Sequence, residues 1–164
     1  MSPAAGPPAS SGRTPFLHMP VPWVYLLAYL VGVGLQFVVP VTLASTALSL
    51  AAQAAGLVLF VAGWWLAGWG LLIFRRAETT TTPGEAPKRL VTRGPYRFTR
   101  NPMYAGLTLA YLGEAGLLVQ FWPLPLLVFT LVYVNCFVIP VEEASLREFG
   151  DAYSRYRSRA RRWL

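Results

Sequence analysis

Charge is scarce in this chain. Asp, Glu, Lys and Arg make up 13% of its 164 residues, against 55% hydrophobic residues. Soluble domains carry about 25% charged residues, so a broad solvated surface is excluded and an integral membrane protein fits better. Acidic groups are the scarcer sign, seven against fourteen basic ones, for a net charge of +7. That excess does not point to nucleic acid, because the arginines flank apolar runs instead of lining a soluble face; beside membrane spans they orient the chain and meet anionic lipid. A single cysteine, Cys136, sits inside an apolar run, which excludes an internal disulfide and gives thiol catalysis little basis. The single histidine, His18, lies in a Pro-rich leader, so no His/Cys set exists to hold a metal.

What is abundant is long apolar sequence. Residues 1–20 are rich in Pro, Ala, Ser and Gly and read as a disordered leader. Residues 21–39 then match a bilayer span in length and exceed a signal-peptide core, and Pro40 closes them. Residues 47–74 form a second span, longer than the hydrocarbon layer, that stops at Arg75-Arg76. In it Gly56, Gly63 and Gly70 recur every seven residues and present one side to a close neighbour, while Trp64, Trp65 and Trp69 suit an interface. Residues 102–119 and 124–141 form two shorter spans around the turn Phe121-Trp122-Pro123. An amphipathic helix over about 143–159 follows, with Leu146, Phe149, Tyr153 and Tyr156 on one face and a polybasic tail after it. The reading is an all-α integral membrane protein: one membrane-embedded domain over 21–164, with about four transmembrane helices and a C-terminal amphipathic helix.

With four spans, every Lys and Arg falls on one side of the membrane, which the positive-inside tendency makes cytoplasmic for both termini. The tail arginines read as a solvated, lipid-hugging surface for anionic lipid. The same topology brings the arginine-rich stretch LVTRGPYRFTRNPMYAG, residues 90–106, to the face that carries Glu142 and Glu143. Pro95 and Pro102 stiffen that stretch at the mouth of the third helix. Asn101, Tyr104, Thr108 and Tyr111 form a polar stripe entering the membrane, and Asn135, seven residues before Glu142, is expected on the face of that carboxylate. Glu114 lies a dozen residues into the third span, where a carboxylate costs about 2.5–3.5 kcal/mol; it reads either as a head-group contact or as an outer-interface residue. Tyr111, Asn135 and Glu114 are therefore candidate substrate contacts.

Arginines at one edge, paired acids at the other and aromatic faces between suit a zwitterion. Guanidinium forks onto carboxylate, carboxylates take an ammonium or sugar hydroxyls, and aromatic rings attract a sulfonium. S-adenosylmethionine carries all of these groups, although spacing alone does not single it out.

The run LVTRGPYRFTRNPMYAG, then an apolar hairpin, then VEEASLREFGDAYSRYRSRARRWL, resembles the isoprenylcysteine carboxyl methyltransferase / phospholipid methyltransferase superfamily, above all its bacterial isoprenylcysteine methyltransferase-like branch. The resemblance covers about residues 46–164. It implies an integral membrane enzyme, in a bacterial inner membrane, that moves the methyl of S-adenosylmethionine to a lipidic or small amphiphilic acceptor: an isoprenylcysteine carboxylate, a phospholipid amine or a thiol. Carried over by motif, Tyr96, Arg97, Arg100, Asn101, Pro102, Tyr104 and Gly106 would border the cofactor, and Glu142 and Glu143 would be the acidic pair that binds it. Many relatives have His where Asn101 stands; Asn cannot titrate near neutrality, so a base is sought among the carboxylates.

Methyl transfer from a sulfonium needs alignment, desolvation and electrostatics rather than a covalent enzyme intermediate. Glu143, Glu142 and Arg100 are the catalytic candidates, with Glu142, Glu143 or Glu114 available to take a proton from an amine or thiol acceptor. Two other readings stand beside this one. A membrane sterol or steroid reductase would use NADPH in a related C-terminal architecture, and a non-enzymatic scaffold would dock lipid through the basic tail alone.

Overall fold

The computed structural model describes residues 19–42, 45–77 and 89–164; the leader up to residue 18 and most of the loop between the second and third spans lie outside the described residues. The described chain is helical, with no strand among these residues and one isolated bridge between Thr99 and Arg161. Helix α1 (Val21–Val38) starts on Pro20, whose missing N–H costs nothing at a helix start, and ends before Pro40, which disfavours helical backbone in the residue ahead of it. Helix α2 (Thr46–Arg76) is capped by Ser45, whose hydroxyl accepts from Leu48 N at 3.2 Å, and ends on two arginines that suit the negative end of its dipole. Helix α3 (Pro102–Leu117) and helix α4 (Pro123–Tyr133) each open on a proline.

Beyond α4 the helix does not stop. A π-helical turn, Val134–Val138, leads into α5 (Ile139–Leu146) and a 3-10 turn, Arg147–Phe149, so the apolar helix runs from Pro123 to Phe149. Pro140 explains the wide turn: it has no N–H to donate and its ring crowds the preceding carbonyls, so the ladder opens locally. The break expected near residue 142 falls at Gly150, whose φ of +53° suits glycine. Only α6 (Asp151–Arg159) follows it as a separate helix.

Three of these helices, Val21–Val38, Thr46–Arg76 and Pro123–Phe149, are long and apolar enough to cross a membrane. The third expected span, α3, has 16 residues and is the shortest of the four. It lies against α2 along the glycine seam. A Cβ on Gly63 would come under 3.0 Å of backbone at Ala110, one on Gly113 under 3.0 Å of Phe60, and one on Gly106 under 3.0 Å of Ala67. The seven-residue glycine row therefore serves helix packing. On its other side α3 meets α1 and α4 through Tyr25, Tyr29, Tyr104 and Tyr111 in the main core. Tyr25 shares a hydrogen bond with Thr108 at 2.9 Å, and Tyr29 donates to Gln120 at 2.8 Å. Large apolar side chains such as Phe37, Val58 and Phe129 point outward, as lipid-facing surface does.

The helix directions put every described arginine at one end of the bundle, around the segment 89–101, α5 and α6. There the expected stripe of α6 is turned onto protein. Tyr153, Tyr156 and Ala160 pack with Leu90, Leu146 and Phe149 in a second small core, and the Tyr156 hydroxyl donates to Tyr96 O at 2.9 Å. The apolar face of the amphipathic helix is thus covered by the chain itself.

Candidate functional site

The segment before α3 is shaped by Gly94 and Pro95. Gly94 has φ +60° and lies against Ile73 and Trp69 of α2, and the 3-10 turn Gly94–Arg97 then buries Tyr96 while leaving Arg97 exposed. Thr99 is almost wholly buried and accepts from Asn101 N at 3.2 Å. These constraints aim Arg100 inward, at α5.

The sequence reading put Arg100 and Glu143 at opposite edges of a ligand; the structure brings them to the same end of the bundle but pairs them directly. Arg100 donates from Nε and Nη2 to Glu143 Oε1, at 3.2 and 3.0 Å, and from Nη1 to the carbonyls of Arg157 and Ala160, at 3.2 and 2.6 Å. Four of its five donors are so engaged. Arg162 takes the other oxygen, donating from Nη2 to Glu143 Oε2 at 2.7 Å. Glu143 is thus a buried carboxylate held by two guanidinium groups.

Glu142, its neighbour, has different company. Its Oε1 accepts from the Tyr104 hydroxyl at 2.5 Å, and among the described residues no cation pairs with it. Tyr96 lies nearby with its hydroxyl buried and without a hydrogen-bond partner. Burial pushes its pKa well above the ordinary phenol value, and the Tyr156 phenol and the Glu142 carboxylate push the same way. A half-buried carboxylate without a cationic partner and a buried, unsatisfied hydroxyl are what a ligand bearing a cation and hydroxyl groups would complete.

The other candidates divide. Asn101 does not cap α3 with its side chain; its Nδ2 donates to Arg162 O at 2.9 Å. Pro102 and Gly106 are packed at α2, and Gly106 has no space on that side for a ligand. Tyr111 donates to Pro123 O at 2.9 Å, at the opposite end of the bundle. Glu114 is ten residues beyond Tyr104, about 15 Å along α3, so neither residue joins the acidic pair. Asn135 accepts from Trp163 Nε1 at 3.1 Å. The π turn adds about one residue to a helical revolution, so eight residues, not seven, return to a face, and Asn135 aligns with Glu143 instead of Glu142. Sequence reasoning missed Arg162 and Trp163, which charge pattern alone had merged with the lipid-facing arginines. It also missed Thr99 and Tyr156, whose polar groups are used in tying the segment down.

A helical membrane protein with an acid-and-tyrosine cluster framed by an arginine lock is the class this arrangement defines. The chain belongs to the phospholipid methyltransferase family, which matches residues 51–151, from the first turns of α2 to the start of α6. That span contains Tyr96, Tyr104, Glu142 and Glu143, while Arg162 and Trp163 lie beyond it. No curated protein and no solved structure matches the chain. The family is one of membrane methyltransferases, which favours that reading over the reductase and the scaffold.

Proposed function

We propose that the protein is an S-adenosylmethionine-dependent methyltransferase acting on a lipidic or amphiphilic acceptor at the arginine-rich, cytoplasmic face of the membrane. The observation that carries the reading is Glu142: a half-buried carboxylate bonded by one tyrosine and, among the described residues, paired with no arginine, beside the unsatisfied Tyr96 hydroxyl. These groups fit S-adenosylmethionine, since the Glu142 carboxylate matches its ammonium, the tyrosine hydroxyls match its polar groups, and the exposed Arg97, three residues before Arg100, is available for its carboxylate. When bound, that cofactor supplies a methyl group on a sulfonium centre.

Glu142, Tyr104, Tyr96 and Arg97 bind and orient. Arg100, Glu143 and Asn101 act through the frame, because their polar groups are consumed by the chain itself. Pro102 and Gly106 set the position of α3 against α2. Burial of Tyr96 and Tyr104 keeps water from their hydroxyls, which strengthens the contacts these make. Tyr104 holds one oxygen of Glu142 and leaves the other to face a ligand or to accept a proton from an amine or thiol acceptor. The isoprenylcysteine-like carboxylate, phospholipid amine and thiol classes are the acceptors proposed, and the exposed arginines of α6, Arg155, Arg157 and Arg159, suit anionic lipid around the entrance.

Purified protein incubated with isotope-labelled S-adenosylmethionine and total lipid extract, followed by mass analysis, tests the reading. The expected result is label in a membrane lipid or amphiphile. Absence of labelled product together with absence of S-adenosylmethionine binding would remove it.

A further inference from the structure

Residues Ala160–Trp163 cross from one half of the site to the other. On one side they are fastened to the segment before α3: Arg161 N donates to Phe98 O at 3.1 Å and Arg100 N to Arg161 O at 2.7 Å. Thr99 Oγ1 and Asn101 Nδ2 both donate to Arg162 O, at 3.1 and 2.9 Å. On the other side two adjacent residues grip the long helix at two heights. Trp163 Nε1 donates to Asn135 inside the π turn, and Arg162 binds Glu143 beyond it. Those helix positions are eight residues and roughly 12 Å apart, and they bracket Pro140.

A π turn is a place where a helix can slip by one residue. Each residue turns an α-helix by about 100°, so a slip between Asn135 and Glu143 would rotate α5 by that angle relative to α4. The preceding helix cannot follow, because Gly32 of α1 lies against Pro123 and Leu127 is fixed in the main core; Val134, Val138 and Ile139, in and just past the turn, share that core and oppose the same slip. Such a rotation would carry Glu142 away from Tyr104. Arg162 and Trp163 hold both ends of the slip-prone turn at once.

We propose that Ala160–Trp163 is a strap that fixes the register of the π turn and so aims Glu142 into the pocket, with Arg162 and Trp163 as positioning residues. The proposal rests on the reading of the Glu142 pocket as the cofactor site, and its test keeps the two apart. First, amide hydrogen exchange is followed in the ligand-free protein. Arg162→Gln accelerates exchange across 138–146 and leaves α2 and α3 as protected as before; unchanged exchange over 138–146 overturns the strap whether or not any ligand binds. Second, S-adenosylhomocysteine is titrated calorimetrically into the parent protein, Arg162→Gln, Tyr104→Phe and the double variant, well below their unfolding temperatures. Arg162→Gln weakens binding about tenfold, Arg162→Lys recovers most of it, and Tyr104→Phe has less than a twofold further effect once Arg162 is gone, because the carboxylate it holds is no longer aimed. Additive losses in that cycle would mean that Arg162 contributes only general stability, and would overturn the proposal. A parent protein that fails to bind S-adenosylhomocysteine overturns the pocket reading, and the exchange result still decides the strap.

Discussion

The two sides of α5 differ in what balances a carboxylate. On the strap side Glu143 meets two guanidinium groups, both of its oxygens are engaged, and the arginines also hold backbone carbonyls. On the tyrosine side, among the described residues, Glu142 meets a single phenol, and the next hydroxyl, that of Tyr96, has nothing to bond. One residue of sequence separates a completed lock from an incomplete pocket. A side chain saturated by its own chain holds a shape, whereas one left half-satisfied in a buried place is available to something else. Identical residue types next to each other therefore carry separate duties.

Several substitutions sharpen or break that contrast. Glu142→Gln has the largest expected effect on binding: S-adenosylhomocysteine affinity falls about a hundredfold, ~2.7 kcal/mol, while the thermal unfolding midpoint changes little. Isothermal titration and a thermal melt in the same detergent check both halves. Glu143→Gln is expected to act in the opposite order, costing about 2 kcal/mol of stability, below the 3–5 kcal/mol of a fully buried broken pair because Arg162 keeps 35% of its side chain exposed. Its binding loss is the smaller one, near tenfold, read on the folded fraction. Tyr104→Phe removes a hydrogen bond to a charged group, about 1.5 kcal/mol, and titration should show roughly tenfold weaker binding with little change in fold. Tyr96→Phe is the smallest and has a split sign. It removes an unsatisfied buried hydroxyl, so the ligand-free protein gains about 1 kcal/mol, and binding weakens a few-fold; a melt that drops instead would show that the hydroxyl is satisfied in the free protein.

The bundle was legible in the sequence wherever one physical rule dominates. Apolar length marked the spans, prolines marked the starts of α3 and α4, and the row Gly56, Gly63, Gly70 marked the seam with α3, because close backbone approach admits almost no other residue. That Arg100 and Glu143 share one end of the bundle was also legible by counting spans; that they pair directly, with no ligand between them, was not. What escaped was long-range and polar. Nothing in a run of arginines says that Arg162 has a carboxylate partner and its neighbours do not, for that depends on the chain folding back after Gly150. The glycine itself signalled a helix end, and it was outweighed by the change from apolar to charged residues near Glu142. The wide turn that Pro140 opens, which moves Asn135 into line with Glu143, was not foreseen from the apolar run around it. Glu142 and Glu143 diverge because adjacent helical residues point about 100° apart; which of them meets the arginines depends on how α5 is set by that turn.

The most direct test is an experimental structure with S-adenosylhomocysteine bound in lipid or detergent. The account predicts that Glu142 and the Tyr96 hydroxyl contact the ligand while Arg100 and Arg162 stay on Glu143, at the present 3.0 and 2.7 Å. A complex in which Glu143 leaves its arginines to hold the ligand, with Glu142 untouched, would contradict it.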